Sequence, residues 1–179
     1  MKPTLLAIIL LIQALCFGRQ DAPAPQAASV GPKLEGVWRL VLIEDNGVKQ
    51  ANNPFGLLIL TESGHISLQI SRKDFRQKFD SDDIKSAKAA ERARAFETFG
   101  SYFGRYTVDK DKGMLKITVD ASLFPNETGT TNFRYFEVSE DTLVLKPVEK
   151  DEDGKLLPRS ESKRRLVWKR LKPGDDIRP

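Results

Sequence analysis

The feature that most restricts this chain is a succession of short stretches rich in β-branched and aromatic residues, each closed by a Gly, Asn, Asp or Ser turn. That punctuation excludes a helical bundle and specifies antiparallel strands joined by hairpins. Gly36–Ile43 ends at Asp45-Asn46-Gly47, and Phe55–Thr61 is linked to His65–Arg72 by Glu62-Ser63-Gly64. In the last of these, Ile66, Leu68 and Ile70 alternate with His65, Ser67, Gln69 and Ser71, so one face is apolar and the other polar. Tyr102–Val108 turns into Met114–Asp120, Thr130–Val138 turns into Thr142–Val148, and Lys163–Leu171 closes the series. One segment breaks the pattern. Asp82–Phe99 carries five alanines, with Ser81 placed to cap it and Asp82 and Asp83 at its positive end, which predicts a helix. Lys88, Glu91 and Arg92 interrupt its apolar side, so a surface or lid helix is expected rather than a core one.

The count is eight strands, with the helix between the third and fourth. The fold class is therefore all-β. A closed antiparallel up-and-down barrel is expected because closure removes exposed sheet edges, and a two-sheet sandwich is the alternative. With 40% hydrophobic and 30% charged residues, the chain fits one globular domain, placed at residues 33–171 and followed by a polar tail at 172–179.

The residues before that domain read as an address. Lys2 precedes the apolar run Leu5–Ile12, which is too short to cross about 30 Å of hydrocarbon, and a secretory signal over residues 1–18 is expected. Residues 19–32 are rich in Ala, Pro and Gln and read as a flexible spacer. The expected location is secreted or periplasmic, with no transmembrane segment in the mature domain. Cys16, the only cysteine, supports the alternative of a lipoprotein anchored through its thiol, although Leu15 is large for the position before such a cysteine. With one cysteine no intrachain disulfide can form, and the domain must hold by packing alone.

Several function classes fall away on residue counts. The net charge of +4 is slight and scattered, with Lys163–Arg170 as the one basic stretch, so no nucleic-acid partner is expected. A single histidine, His65, leaves no His-rich metal site, no Cys-His nucleophile and no elbow presenting a serine; no metal and no cofactor are expected. Asp80-Ser81-Asp82-Asp83 and Asp109-Lys110-Asp111 lack the spacing of a calcium loop and read as a helix cap and a hairpin turn. Asn126-Glu127-Thr128 fits a glycosylation acceptor in a eukaryotic secretory pathway.

Gly36-Val37-Trp38 at the head of the first strand resembles the Gly-x-Trp of lipocalins. Further stretches are similar to the bacterial and fungal lipocalin-like domain family: Gly64-His65-Ile66-Ser67-Leu68-Gln69-Ile70, Tyr102-Phe103-Gly104-Arg105-Tyr106-Thr107-Val108, Ser122-Leu123-Phe124-Pro125-Asn126, Phe133-Arg134-Tyr135-Phe136 and Leu166-Val167-Trp168-Lys169-Arg170. The similarity runs from Leu34 to Leu171. It implies a barrel whose floor is plugged by Trp38, with Arg134 or Arg170 stacked across the indole. The basic helix, with Lys85, Lys88, Arg92 and Arg94, departs from the family pattern.

Barrels of this kind host binders and a few enzymes, so function needs its own argument. The expected function is binding of a small, largely apolar molecule in the barrel cavity. The expected ligand-binding residues are Phe103, Tyr106, Phe124, Asn126, Phe136 and His65, with Tyr106 and Asn126 as polar anchors. Trp38 and Arg134 are assigned to the barrel floor. No catalytic residue is assigned. Two alternatives stand beside this: an isomerase or cyclase using Tyr106, His65 or Asp120 on a hydrophobic metabolite, and a ligand-free envelope scaffold with a filled barrel. The oligomeric state is left open.

Overall fold

The computed structural model describes residues 33–50, 54–72 and 76–177; the signal-like segment and the spacer lie outside the described residues. The strands are β1 (Gly36–Asp45), β2 (Val48–Lys49), β3 (Pro54–Leu60), β4 (His65–Arg72), β5 (Phe99–Asp109), β6 (Met114–Ser122), β7 (Thr131–Val138), β8 (Thr142–Pro147) and β9 (Arg164–Arg170). All pairings are antiparallel and sequential from β3 to β9, and β1 pairs with both β3 and β9. The sheet therefore closes into an eight-stranded up-and-down barrel, and the sandwich is excluded. β2 is a two-residue hairpin arm pairing Lys49 with Glu44 and Val48 with Asp45.

Two bulges set the phase of the inner wall. In β1 the register steps from Leu40↔Trp168 to Leu42↔Val167, leaving Val41 as the extra residue. Trp38, Leu40 and then Ile43 consequently point inward and are buried, a spacing that no regular strand gives. In β6 the register steps from Gly104↔Val119 to Phe103↔Ala121, leaving Asp120 unpaired on the outside, where its carboxylate accepts from Arg105 Nη2 at 3.2 Å. Gly104 is required opposite this bulge, because a Cβ there would collide with the Thr118 carbonyl.

The core is the barrel interior: Trp38, Leu58, Leu60, Ile66, Leu115, Ile117, Val119, Leu143, Leu145 and Trp168 are all nearly or fully buried. At one end the barrel is sealed. The Trp38 indole N–H donates to Leu34 O at 3.0 Å, and the Arg170 guanidinium carbon lies 4.0 Å from the indole centroid. Arg170 also donates to the Glu35 carbonyl at 2.7 Å, the Glu140 carbonyl at 2.8 Å and the Lys33 carbonyl, lacing the first strand to the β7–β8 turn. Gly36 makes this possible: its φ is +145°, and a Cβ would lie 2.5 Å from Arg170 Nη1. The stacking arginine is thus Arg170, and the assignment of Arg134 to the floor is corrected, because β7 carries Arg134 to a different part of the wall.

The helix, α1 (Ala89–Glu97), lies between β4 and β5 as expected but is shorter than Asp82–Phe99. Its expected first turns are a separate 3₁₀ turn, Ile84–Ser86. Asp83 accounts for the break: its carboxylate accepts the Lys85 N–H at 3.0 Å and the Ser86 hydroxyl at 3.1 Å, a local bonding pattern that competes with α-helix. Glu91 then caps α1 by accepting the Lys88 N–H at 2.7 Å. No residue of α1 is buried; Thr98 caps its end, its N–H donating to the Arg94 carbonyl at 3.1 Å, and β5 starts at Phe99.

Candidate ligand-binding site

Strand parity decides which side chains reach the interior. On β4, Ile66, Leu68 and Ile70 face in; they pair with Gly104, Tyr102 and Gly100 of β5, so Tyr102 and Tyr106 face in and Phe103 and Arg105 face out. On β7, Phe136 and Val138 pair with Leu145 and Leu143 and pack on the core. Arg134 and Asn132 share their parity and pair with the fully buried Leu115 and Ile117 of β6. The inner wall therefore carries an arginine and an asparagine among apolar residues.

The inner wall is not buried evenly. Trp38, Trp168, Leu58 and Leu60 are closed off, whereas Leu68, Ile70, Tyr102, Phe136 and, beside the β7–β8 turn, Val138 keep partial exposure while packing on the core. Arg134 and Asn132 are half-buried in the same way. Tyr102 pairs with Ser122 at the last residue of β6, at the end of the barrel away from Trp38. The Ser122 hydroxyl has one proton to donate, with Glu127 Oε2 at 2.8 Å and the Ser101 carbonyl at 3.2 Å as its acceptors in reach. Burial pushes the Tyr102 phenol above its ordinary range, opposed by the Arg134 charge and reinforced by Glu127. Tyr102 is therefore a neutral hydrogen-bond donor at neutral pH. Deeper in, the Trp168 side chain is fully buried and its indole N–H has no hydrogen-bond partner among the described residues. An orphaned buried donor is costly and expects an acceptor.

The residues singled out from the sequence are distributed over several places. Phe136 lines the inner wall. Tyr106 faces inward but belongs to the sealed half: its hydroxyl donates to the Thr61 carbonyl at 2.9 Å, and burial, with Glu35 adding to it, pushes the phenol up to about 12. Phe103 is 56% exposed on the outer wall, a consequence of having the opposite parity to Tyr106. Phe124 is 52% exposed beside the 3₁₀ turn Pro125–Glu127 that holds the exposed Asn126. His65 is exposed at the start of β4, with Nδ1 at 3.0 Å from Ser63 Oγ. Asp120 is on the outer bulge. Tyr106, His65 and Asp120, the groups considered for acid–base work, do not meet in one cavity.

Sequence reasoning missed Tyr102, Arg134, Leu68 and Ile70 as a set. The signal was available in β5, where the charged Arg105 and polar Thr107 mark the outward parity and leave Tyr102, Gly104 and Tyr106 for the inside. Two recesses outside the wall are separate from this lining. One, of about 250 Å³, lies between α1 and residues 76–80, bordered by Arg76, Lys88, Glu91 and Arg94. The other, of about 330 Å³, is a shallow depression over Ser63, Arg105 and Lys116.

A closed eight-stranded barrel, sealed at one end by an indole beneath a guanidinium, is of the class whose interior is either filled by side chains or holds one small ligand. The model of the lipocalin-like domain family matches residues 35–171. The chain belongs to that family. No curated protein matches it. Among the described residues no helix is long and apolar enough to cross a membrane, and no cluster of His, Cys, Asp or Glu could hold a metal ion.

Proposed function

We propose that this protein binds a small, largely apolar molecule inside the barrel, with no covalent step. The observation that carries the reading is the partial exposure of Leu68, Ile70, Tyr102 and Phe136. Their side chains have inward parity, so they are exposed toward the open end of the barrel or its interior, and an apolar space with a few polar groups is the ordinary form of a small-molecule site. Of the residues expected from the sequence, Phe136 stays in this site, and Tyr106 supports it from below.

The proposal includes export. Residues 1–18 have the composition of a secretory signal and residues 19–32 that of a spacer, which fits a secreted or periplasmic binder or one tethered through Cys16. Native mass spectrometry of the chain, purified gently from its own host, tests both parts. A retained small molecule and a mass lacking the first 18 residues are the expected results. A bare polypeptide that also takes up no neutral apolar probe overturns the binding reading. The scaffold reading has one observation in its favour, the exposed Phe103 and Phe124 on and just after the paired strands β5 and β6. A retained protein partner in the same spectrum would favour it.

A further inference from the structure

The basic residues around the helix have no part in a binding site inside the barrel, yet the fold brings them together. Residues 76–80, on the way from β4 to the helix, lie against α1, and between them is the recess of about 250 Å³. Its border holds four basic side chains, Arg76, Lys78, Lys88 and Arg94, against two acidic ones, Asp80 and Glu91, an excess of two positive charges. Both carboxylates are already committed. Asp80 is paired with Lys88, whose Nζ lies 2.5 Å from Oδ2, and Glu91 accepts the backbone N–H of Asp80 at 2.8 Å and that of Lys88 at 2.7 Å. No described carboxylate lies within ion-pair distance of Arg76, Lys78 or Arg94.

The two arginines are anchored at the recess. Arg76 Nη1 donates to the Ala95 carbonyl at 2.9 Å, with its guanidinium carbon 5.1 Å from the Phe99 ring centroid, and Arg94 Nη1 donates to Gln77 Oε1. Each of these bonds takes one of the five N–H donors of a guanidinium, so most of both forks is uncommitted. The Lys78 ammonium has no partner among the described residues. Carbonyls at the C-terminal end of a helix ordinarily repel an anion. Here they are covered: Ala95 by Arg76, and Arg94 by the Thr98 hydroxyl at 2.7 Å and the Thr98 N–H at 3.1 Å. The recess is left with free donors and positive charge.

We propose that this recess binds a phosphomonoester, its dianionic head held by Arg76, Lys78 and Arg94. Charge decides between the oxyanions: a dianion balances the excess, whereas a carboxylate or a sulfate ester leaves one positive charge uncompensated. The site lies outside the barrel and stands whether or not an apolar molecule binds within it. A free small molecule and a lipid headgroup such as phosphatidate present the same phosphomonoester, and the test separates them.

The backbone amides of the ¹⁵N-labelled full chain are followed at constant ionic strength and mildly alkaline pH, where a phosphomonoester is a dianion. Phenyl phosphate and phenyl sulfate, alike in shape and differing by one charge, are the probes. Phenyl phosphate should bind about tenfold more tightly, the scale of one charge-assisted hydrogen bond, with saturable shifts at Gln77, Lys78 and Arg94. Lys78→Gln alters an exposed side chain that holds nothing in the fold, and it should weaken phenyl phosphate about three- to fivefold. Sedimentation with vesicles of equal parts phosphatidylcholine and phosphatidate, beside vesicles of phosphatidylcholine alone, identifies the carrier. Capture by the first kind only, released by phenyl phosphate, points to the lipid headgroup; phenyl phosphate binding without capture points to a free small molecule. No binding of phenyl phosphate, equal affinity for the two esters, an affinity that Lys78→Gln leaves unchanged, or shifts confined to other parts of the chain overturns the site.

Discussion

At the scale of single residues the decisive position is Gly36. Its backbone occupies φ +145°, and the space a side chain would fill is taken by the Arg170 guanidinium that covers Trp38. Gly36→Ala is expected to cost roughly 1–3 kcal/mol in urea unfolding, from the backbone conformation and the collision together. In an Arg170→Ala background the same change should cost less, because the collision is gone while the backbone strain stays; strict additivity would contradict the account. The Gly-x-Trp triplet was legible in the sequence, and the structure supplies its cause. The partner of the indole was not legible. Arg134 and Arg170 are both strand arginines close to aromatic residues, Phe133 and Trp168, and only the register that puts Trp38 opposite Arg170 separates them.

At the scale of elements, the β1–β9 seam closes the barrel, and its far end is held by charge. Asp45 accepts from Arg164 Nε at 2.6 Å and Nη2 at 3.2 Å, and Glu44 lies 3.6 Å from Arg165 Nη1. The Arg164 hydrogen bonds, with a smaller contribution from Gln50, hold the Asp45 carboxyl below its ordinary 3.8. A depressed carboxyl stabilises the fold above its unfolded pKa, and that contribution is lost as pH falls through 3.8 and below. Because both side chains are partly exposed, Asp45→Asn should cost about 0.5–1 kcal/mol at neutral pH and nothing in strong acid, read as converging unfolding midpoints. The helix should behave differently. With no buried residue, α1 is expected to exchange its amide hydrogens far faster than β6, and Phe96→Ser should shift stability by less than about 0.5 kcal/mol. Protection in α1 equal to that of β6 would contradict this. Eight strands, their order of pairing and the place of the helix could be read from turns and alternation. The bulges at Val41 and Asp120 could not, because an extra residue changes the phase of a strand without leaving a local composition signal. Because the inward face of β5 was left open, Phe103 entered the expected site and Tyr102 did not. The helix start was misjudged for a related reason, since Ser81, Asp82 and Asp83 cap equally well a short turn or a long helix.

At the scale of the whole molecule the barrel is asymmetric, sealed and apolar around Trp38, and partly exposed with free polar groups along Leu68, Ile70, Tyr102, Arg134 and Phe136. The proposed binding reading rests on that asymmetry, because family membership alone does not distinguish a binding barrel from a filled one. The two tryptophans report on it independently. Trp38 donates its indole N–H to Leu34 in the floor, whereas the buried Trp168 indole N–H has no partner among the described residues. The most direct measurement is the pair of indole N–H resonances of the ¹⁵N-labelled chain during titration with a neutral apolar ligand such as lauryl alcohol. The account predicts a saturable shift of the Trp168 signal with the Trp38 signal unmoved. A Trp168 signal that stays fixed while resonances of the outer wall move would contradict binding inside the barrel.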